Sequence, residues 1–307
     1  MRIVMLGHSS AGKTTYMAAM YRFMNDGHKG FKIVAADAAQ HARLIDDADG
    51  IKKGIYPDPT SQRAEYQFTL YFKGKRVSTF VWADYRGGAL SERSSSEDAA
   101  ALRNDIKESD AVVVFADAYE LATEPDSRRA VRRLTVLMQQ AIADGRTAVP
   151  LVLAYTKADK VKSADEWSLA VEPFEQVSHA LETSGSVKGA IVTISCGRRP
   201  KAVHIPVLWC LSNGLANEIQ ALQNKADSYQ QWAKEAGKNG SIGNSWKSWR
   251  DGTESEWQKK KRYLKEAQDR LNEMRPLLRP AQQLASTVER DLRKERPPRA
   301  YRNAVGG

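Results

Sequence analysis

Apolar and polar residues follow two spacings along the first two thirds of the chain, and the spacings alternate. Short apolar runs or every-second-residue patterns predict strands, and apolar residues three or four apart predict helices. We predict strands over residues 2–6, 31–35, 65–72, 77–83, 110–116, 149–155 and 187–195, and helices over 15–24, 38–53, 126–144 and 164–183. This alternation predicts an α/β fold with a doubly wound, mostly parallel sheet, in which a hairpin at 65–83 makes one edge antiparallel.

The pattern changes after residue 205, where helical spacing continues without strands. It predicts a long helix over 207–236, a flexible break at 238–245, and a second long helix opened by a Thr253–Glu256 capping box. Pro276 and Pro280 should interrupt or kink that helix, and we predict a further helix over 281–294. We predict an α/β domain over 1–222, an α-helical extension over 223–295 that forms a hairpin or short coiled coil, and a basic disordered tail over 296–307.

Composition narrows the class of protein. The chain has 307 residues, enough to bury a full core, and its 42% hydrophobic and 27% charged residues are ordinary for a globular protein. No apolar stretch approaches the roughly 20 residues that span a bilayer, and 2–6 is too short for a signal peptide. Cys196 and Cys210 are too few for a disulfide framework or a Cys-rich zinc site. We therefore expect a cytoplasmic protein.

Charge is concentrated at one end. The net charge of the chain is +10, and +8 of it lies between Lys238 and Gly307. This region contains 17 Lys and Arg residues and 9 Asp and Glu residues. This region could meet nucleic acid, an anionic membrane surface or an acidic partner, or be a solvated helical face. Four tryptophans lie in this region or just before it, and they could stack on bases or pack between helices. They are Trp232, Trp246, Trp249 and Trp257.

A phosphate-binding loop follows the first predicted strand. Gly7, Gly12, Lys13 and Thr14 match G-x-x-x-x-G-K-[ST], with a strand before and a helix after. Backbone N–H groups of such a loop surround phosphates, and the helix N-terminus adds its positive dipole. Lys13 should reach the β- and γ-phosphates and the Thr14 hydroxyl should bind Mg²⁺. The predicted contacts are Ser10, Ala11, Gly12, Lys13, Thr14 and Thr15.

Three further stretches end later strands. Asp84 is placed to hold Mg²⁺, and Gly87, which lacks a Cβ, can turn its N–H toward the γ-phosphate. The Thr156-Lys157-Ala158-Asp159 turn offers a carboxylate that can accept from both donors on one edge of guanine, a pair that adenine lacks. Lys157 can lie against the purine. Backbone N–H groups of the Ser195-Cys196-Gly197 stretch could meet the guanine carbonyl oxygen.

In this order the stretches resemble the motifs of P-loop GTPases of the translation-factor and Ras-like class. More narrowly, Tyr56-Pro57-Asp58-Pro59-Thr60 and Trp82-Ala83-Asp84-Tyr85-Arg86-Gly87-Gly88 are similar to bacterial double-GTPases, a group associated with multi-gene conflict systems. The resemblance implies GTP or GDP as ligand and a Mg²⁺ site of Thr14, Thr60 and Asp84. It also implies a protein effector or a GTPase-activating partner.

The chain departs from the family pattern at the site of hydrolysis. Gly88 stands where Ras-like proteins have the glutamine that orients the attacking water, so the resemblance implies slow intrinsic hydrolysis. Arg86 could act as an arginine finger, in cis or across a dimer, or be a surface charge of the switch loop. With Lys13 and Thr60 it completes the candidate catalytic set. Thr156 stands where the family more often has Asn.

Three functions are open at this point. The first is a GTP-hydrolysing switch whose nucleotide state reaches a partner through the switch loops and the helical extension. The second is a nucleotide-dependent interaction protein that barely hydrolyses GTP, in the setting of a conflict or defence system. The third is a P-loop ATPase, which Asp159 disfavours.

Overall fold

A computed structural model gives the architecture of the chain. It describes residues 1–58, 64–84, 106–129, 150–183, 188–239 and 254–295, together with the single residues Asn104, Val131, Thr135 and Tyr301.

Seven strands form one sheet, as the alternating pattern predicts. They are β1 (Arg2–Leu6), β2 (Phe31–Ala35), β3 (Ala64–Phe72), β4 (Lys75–Asp84), β5 (Ala111–Asp117), β6 (Leu151–Thr156) and β7 (Gly189–Thr193). Their order is β2-β3-β4-β1-β5-β6-β7. The β2–β3 and β3–β4 pairs are antiparallel, and the others are parallel. The predicted fold class, with its antiparallel edge, is confirmed.

In the described part of the chain, five helices with both ends described accompany the sheet. They are α1 (Lys13–Asp26), α2 (Ala38–Lys53), α3 (Ala118–Thr123), α4 (Ala164–Val171) and α5 (Glu175–Thr183). A 3₁₀ turn at Glu172–Phe174 joins α4 to α5, because Pro173 cannot continue an α-helical hydrogen-bond ladder. Residues 126–129 of the predicted 126–144 helix are helical, and most of the remainder lies outside the described residues.

The core of the domain is aromatic on one side of β6. Tyr155 meets Trp167 and Phe174 edge-on, with ring centroids 5.9 and 6.0 Å apart. Tyr301 joins them at 5.1 Å from Trp167 and is 7% exposed, although it lies in the segment predicted to be a disordered tail. Edge-to-face aromatic contacts add to the free energy of burial. The C-terminal segment therefore contributes a side chain to this core.

Two long helices complete the described chain, α6 (His204–Asn239) and α7 (Glu256–Lys294). The cap of α7 differs from the predicted Thr253–Glu256 box. Ser255 Oγ accepts a hydrogen bond from Gln258 N at 3.3 Å, and Gln258 Oε1 accepts one from Ser255 N at 2.8 Å. The same reciprocal motif is thus made by Ser255 and Gln258, which sit at the N-cap and third helical positions.

The predicted interruption of α7 by proline is wrong. The helix runs through Pro276 and Pro280 without a break. Its buried positions occur before, between and after the prolines, at Ala267, Leu277 and Leu284, so packing of that stripe outweighs the lost hydrogen bonds.

The chain divides into two compact units. The first joins Met1–Gly214 with the C-terminal segment that begins at Ala285, and the second is Leu215–Leu284. Within the second unit Tyr229 and Trp232 of α6 lie 6.3 and 5.7 Å from the ring of Tyr263 of α7. The functional division into 1–222, 223–295 and 296–307 remains a prediction. In the described part of the chain, no helix has the length and apolar character to cross a bilayer.

Candidate nucleotide-binding site

The candidate site lies at the carboxyl ends of the parallel strands. Because β1 is central, with β4 on one side and β5 on the other, the carboxyl ends of these parallel strands lie side by side at one edge of the sheet. Ligands of open α/β sheets bind at such a point. The end of β4 and the segments that follow β1, β6 and β7 lie at this edge.

The glycine loop turns tightly between β1 and α1. A Cβ on Gly7 would lie 2.7 Å from the carbonyl oxygen of Phe115, so only glycine fits against β5 there. Gly12 has φ of +82°, a left-handed conformation that glycine adopts without strain, and caps α1. The loop therefore ends at a helix N-terminus, where unpaired N–H groups and the helix dipole favour an anion.

Lys13 lies inside this loop and is only 7% exposed. Its ammonium donates to the carbonyl oxygens of Gly7 at 2.8 Å and His8 at 3.2 Å. Burial lowers the pKa of Lys13, and the negative charge of Asp84 opposes that shift. A buried cation at the phosphate loop is suited to holding a phosphate group.

Asp84 ends β4 and is fully buried. Its register partner on β1 is Met5, which brings the carboxylate to the edge where the glycine loop begins. Thr14, the next residue after Lys13, also lines the cavity. A carboxylate and a hydroxyl are oxygen ligands of the kind that Mg²⁺ prefers, so these two residues fit the ion.

Thr156 ties the base loop to the phosphate loop. It is 2% exposed, and its hydroxyl lies within donor distance of the Ala11 carbonyl at 3.0 Å and of the Ala116 carbonyl at 3.3 Å. A single hydroxyl thus joins β5, β6 and the glycine loop. Threonine at this position holds the loops together through their backbone.

Asp117 is a site residue that the sequence analysis missed. It ends β5, is fully buried, and forms an ion pair with Lys157, whose side chain is 36% exposed. Its other oxygen accepts from Glu120 N at 3.1 Å and caps α3. A carboxylate directly after a buried strand, at the same edge as Asp84, was the available signal. The pair fixes the Lys157 stem at the cavity wall.

The loop after β7 contacts the Thr156–Asp159 turn. Ala158 N donates to the Ile194 carbonyl at 3.3 Å. Burial first, and then the nearby charge of Asp159, raise the pKa of the Cys196 thiol to about 12. Asp159 and Cys196 line the same cavity although 37 positions separate them in the sequence.

These loops enclose a cavity of about 360 Å³, a size that ligand pockets commonly have. Its lining comprises Ser9, Ser10, Ala11, Gly12, Lys13, Thr14, Thr15, Tyr56, Pro57, Thr156, Lys157, Asp159, Lys160, Cys196 and Gly197. Ser9, Tyr56, Pro57 and Lys160 are additional to the predicted set.

Ser195 stands apart from the other predicted base contacts. Among the described residues that line the cavity it does not occur. Its N–H donates to the Lys201 carbonyl at 3.1 Å, and its carbonyl accepts from Lys201 N at 2.8 Å. Those two hydrogen bonds pair the backbone of Ser195 with that of Lys201, and the next two residues, Cys196 and Gly197, line the cavity. A role of Ser195 in binding the base stays a prediction.

Three predicted residues, Thr60, Arg86 and Gly87, lie outside the described part of the chain, as does Gly88. Their assigned roles in closing on magnesium, in charge stabilisation and in binding the γ-phosphate stay predictions.

Comparison with known families identifies one match. The model of the family described as Double-GTPase 2 matches residues 2–201, about two thirds of the chain. Among curated proteins none matches this sequence at a significant level.

Solved structures of GTP-binding proteins are distantly similar. Translation elongation factor SelB from Methanococcus maripaludis, in complex with the GTP analogue GppNHp, is 14% identical with a TM-score of 0.31. The match covers 64% of this chain and 29% of SelB. For the signal recognition particle receptor SRb-GTP/SRX complex from Chaetomium thermophilum the identity is 12% and the TM-score 0.36, over 64% of this chain and 93% of that one. TM-scores this low do not bear on function.

Proposed function

We propose that this chain, which belongs to the Double-GTPase 2 family, is a molecular switch that binds GTP with Mg²⁺ and hydrolyses it slowly to GDP and phosphate. Family membership gives it a GTPase-type domain. One observation carries the finer proposal: the phosphate loop, the Thr156–Asp159 turn and the Cys196–Gly197 loop line a single cavity. A phosphate site and a base site in the lining of one cavity suit one nucleotide.

The phosphate end is built on Lys13 and the loop amides. The buried ammonium would exchange its hydrogen bonds to Gly7 and His8 for the β- and γ-phosphate oxygens. Ser10 to Thr15 would supply backbone N–H groups and the helix N-terminus. Much of the catalysis of phosphoryl transfer is positioning and charge stabilisation, which this rigid loop supplies.

The base end is built on Asp159 and Lys157. The Asp159 carboxylate would accept from the ring N–H and the amino group of guanine, and would be left unpaired against adenine. Lys157, held by Asp117, would lie along the purine face. Backbone N–H groups of Cys196 and Gly197 would donate to the guanine carbonyl oxygen.

Magnesium would be held by Thr14 and Asp84, with Thr60 as a third ligand. When bound, it neutralises charge that builds on the transferred phosphoryl group. Burial of Asp84 next to Lys13 supports this assignment, because a buried carboxylate needs a cationic partner.

Slow hydrolysis rests on sequence. Glycine at position 88 has no side chain to orient water, and Arg86 or an arginine from a GTPase-activating partner would provide the missing charge. Such an arginine accelerates hydrolysis by roughly 10³–10⁵. Segments around Thr60 and after Asp84 would change with the γ-phosphate and relay the nucleotide state, with the helical extension, to a protein effector.

Replacement of Asp159 tests the assignment of the base. Asp159→Asn should weaken GTP and GDP binding by roughly 10- to 100-fold, the worth of a charged hydrogen-bond pair, and leave ATP binding unchanged. Asp126→Asn, at a side chain that is 92% exposed, is the matched control. Calorimetric titration measures both. An unchanged preference for GTP over ATP in Asp159→Asn would remove the guanine assignment, and a wild-type preference for ATP would replace it with an ATPase.

Single-turnover phosphate release separates a switch from an interaction protein that barely hydrolyses GTP. Slow release that a partner or added arginine finger accelerates supports the switch. Rapid release by the chain alone would contradict the inference drawn from Gly88.

A further inference from the structure

A second cluster of ligating side chains lies away from the nucleotide cavity, in the first compact unit. His28 sits in the turn between α1 and β2, His204 is the first residue of α6, and Asp291 lies in the last turns of α7. These positions are separated by more than 80 residues each. Only the tertiary fold brings them together.

The donor atoms are close enough to share one ion. His28 Nε2 lies 2.7 Å and His204 Nε2 3.3 Å from Asp291 Oδ2. One ligand atom from each residue can be chosen so that all lie within 4.8 Å of one another. Metal–ligand bonds of about 2.0–2.2 Å in a tetrahedral zinc site imply ligand atoms roughly 3.3 Å apart. Small shifts of these side chains would meet that spacing and leave a fourth position for water.

His204 lacks the partners that a buried polar group normally has. It is 5% exposed, and among the described residues neither of its ring nitrogens has a partner of hydrogen-bonding geometry. His204 Nε2 lies 3.3 Å from Asp291 Oδ2, but the angles are not those of a hydrogen bond. Buried polar atoms are nearly always satisfied, so an unmet nitrogen directed at a carboxylate points to a missing ligand.

The ring of His204 is also held in place. Phe23 stacks on it with centroids 4.7 Å apart and planes 14° apart.

Lys29 supplies the outer contact that ligating carboxylates usually have. Its ammonium bonds Asp291 Oδ1, and Oδ2 is the oxygen that faces both histidines. An outer hydrogen bond of this kind fixes a ligand's orientation and tunes its affinity. Two imidazoles and one carboxylate suit zinc and its transition-metal neighbours, whereas magnesium and calcium prefer oxygen ligands alone.

We propose that His28, His204 and Asp291 form a zinc site that fastens the C-terminal end of α7 to the α1–β2 turn. The ion is structural, because its three ligands come from the α1–β2 turn and from two helix ends rather than from the nucleotide cavity. The site is independent of the nucleotide assignment.

Zinc titration of the full chain, stripped with a chelator and kept in excess Mg²⁺, tests the proposal. We expect one equivalent of Zn²⁺ to bind in calorimetry and to raise the melting temperature. Asp291→Asn and His204→Gln should each weaken zinc binding by more than roughly tenfold, and Lys29→Met by less than the ligand substitutions. His179→Gln, a histidine on α5, is the matched control and should bind zinc as the wild type does.

Cobalt substitution of the wild type keeps the test independent of variant folding. Co²⁺ at this site should give visible bands of a tetrahedral or five-coordinate ion, without the strong thiolate band that Cys196 or Cys210 would produce. Failure of the wild type to bind a stoichiometric Zn²⁺ or Co²⁺ would overturn the proposal and leave the cluster as an ion pair. Equal zinc affinity in the wild type and His204→Gln would do the same.

Discussion

Thr156 has one hydroxyl hydrogen and two carbonyl oxygens within reach, 3.0 Å away on Ala11 and 3.3 Å away on Ala116. At the scale of single residues, the candidate site depends on such buried polar contacts. The ion pair of Asp117 with Lys157 and the hydrogen bonds of Lys13 are of the same kind. The contacts of Thr156 and Asp117 join segments that are distant in sequence, whereas Lys13 bonds within the glycine loop. All of them are expected to matter both for stability and for binding.

Thr156→Val removes the hydroxyl at nearly constant volume. We expect the free energy of unfolding to fall by about 1–2 kcal/mol and GDP affinity to fall roughly fivefold, because the glycine loop loses its tie to β6. Denaturant unfolding and calorimetry measure the two effects. Thr69→Val, on β3 and away from the cavity, is the control, and an equal effect of both substitutions would contradict the role of Thr156.

The two cysteines should be unreactive in the folded protein. Burial raises the pKa of both thiols, for Cys196 to about 12. Because the thiolate is the nucleophile, iodoacetamide labelling should stay slow in the native state up to about pH 9, while labelling in denaturant rises steeply over the same range. Mass spectrometry of labelled peptides checks this. Rapid labelling of native Cys196 at pH 8 would show that its loop is not packed as described.

At the scale of elements, local signals mostly agree with the final structure. Asp37 caps α2 by accepting from Gln40 N at 2.7 Å, and Gly54 ends it in a left-handed conformation. The prediction of this helix over 38–53 is confirmed for that reason. Two failures lie in α7, where Ser255 and Gln258 make the cap and where proline does not end the helix, and a third is α3, which was not predicted.

Removal of a proline from α7 should stabilise the protein. Pro276 is exposed, so Pro276→Ala loses little packing, restores an N–H donor and relieves the clash with the preceding turn. We expect the free energy of unfolding to rise by about 1–3 kcal/mol. Thermal unfolding compares it with Arg279→Ala, an exposed control on the same helix. A lower melting temperature for Pro276→Ala would mean that the proline is needed where it stands.

At the scale of the whole molecule, the C-terminal segment returns to the first compact unit. Asp291 reaches His28 and Lys29, and Tyr301 reaches the rings of Tyr155 and Trp167. These contacts connect the C-terminal segment to the part of the first unit that contains the sheet. In the second unit Trp232 contacts Tyr229 and Tyr263 and is 47% exposed, so the choice between packing and base stacking stays open for this residue.

Truncation of Tyr301 measures what this return contributes. Tyr301→Ala should lower the free energy of unfolding by about 2–4 kcal/mol, because a buried ring is lost from an aromatic cluster. Tyr301→Phe keeps the ring and should cost less, and Tyr119→Ala, at a ring that is 43% exposed, should have little effect. Urea denaturation provides the comparison. Wild-type stability of Tyr301→Ala would mean that the segment does not support the domain.

The sequence by itself determined the order of the strands and of most helices, the glycine loop, the strand end at Asp84 and the turn that carries Asp159. These features are local: hydrophobic spacing and glycine or proline positions act over a few residues, and strand ends in a parallel sheet necessarily meet at one edge. Each observed strand lies within two residues of its predicted bounds.

Only the tertiary structure decided which distant side chains became partners. The Asp117–Lys157 pair, the His28–His204–Asp291 cluster and the place of Tyr301 in the core have no local signature. Such contacts depend on how helices and loops pack after their local structure has formed. The energy of a buried charge or ring is set by its final neighbours, and residue spacing along the chain does not encode them.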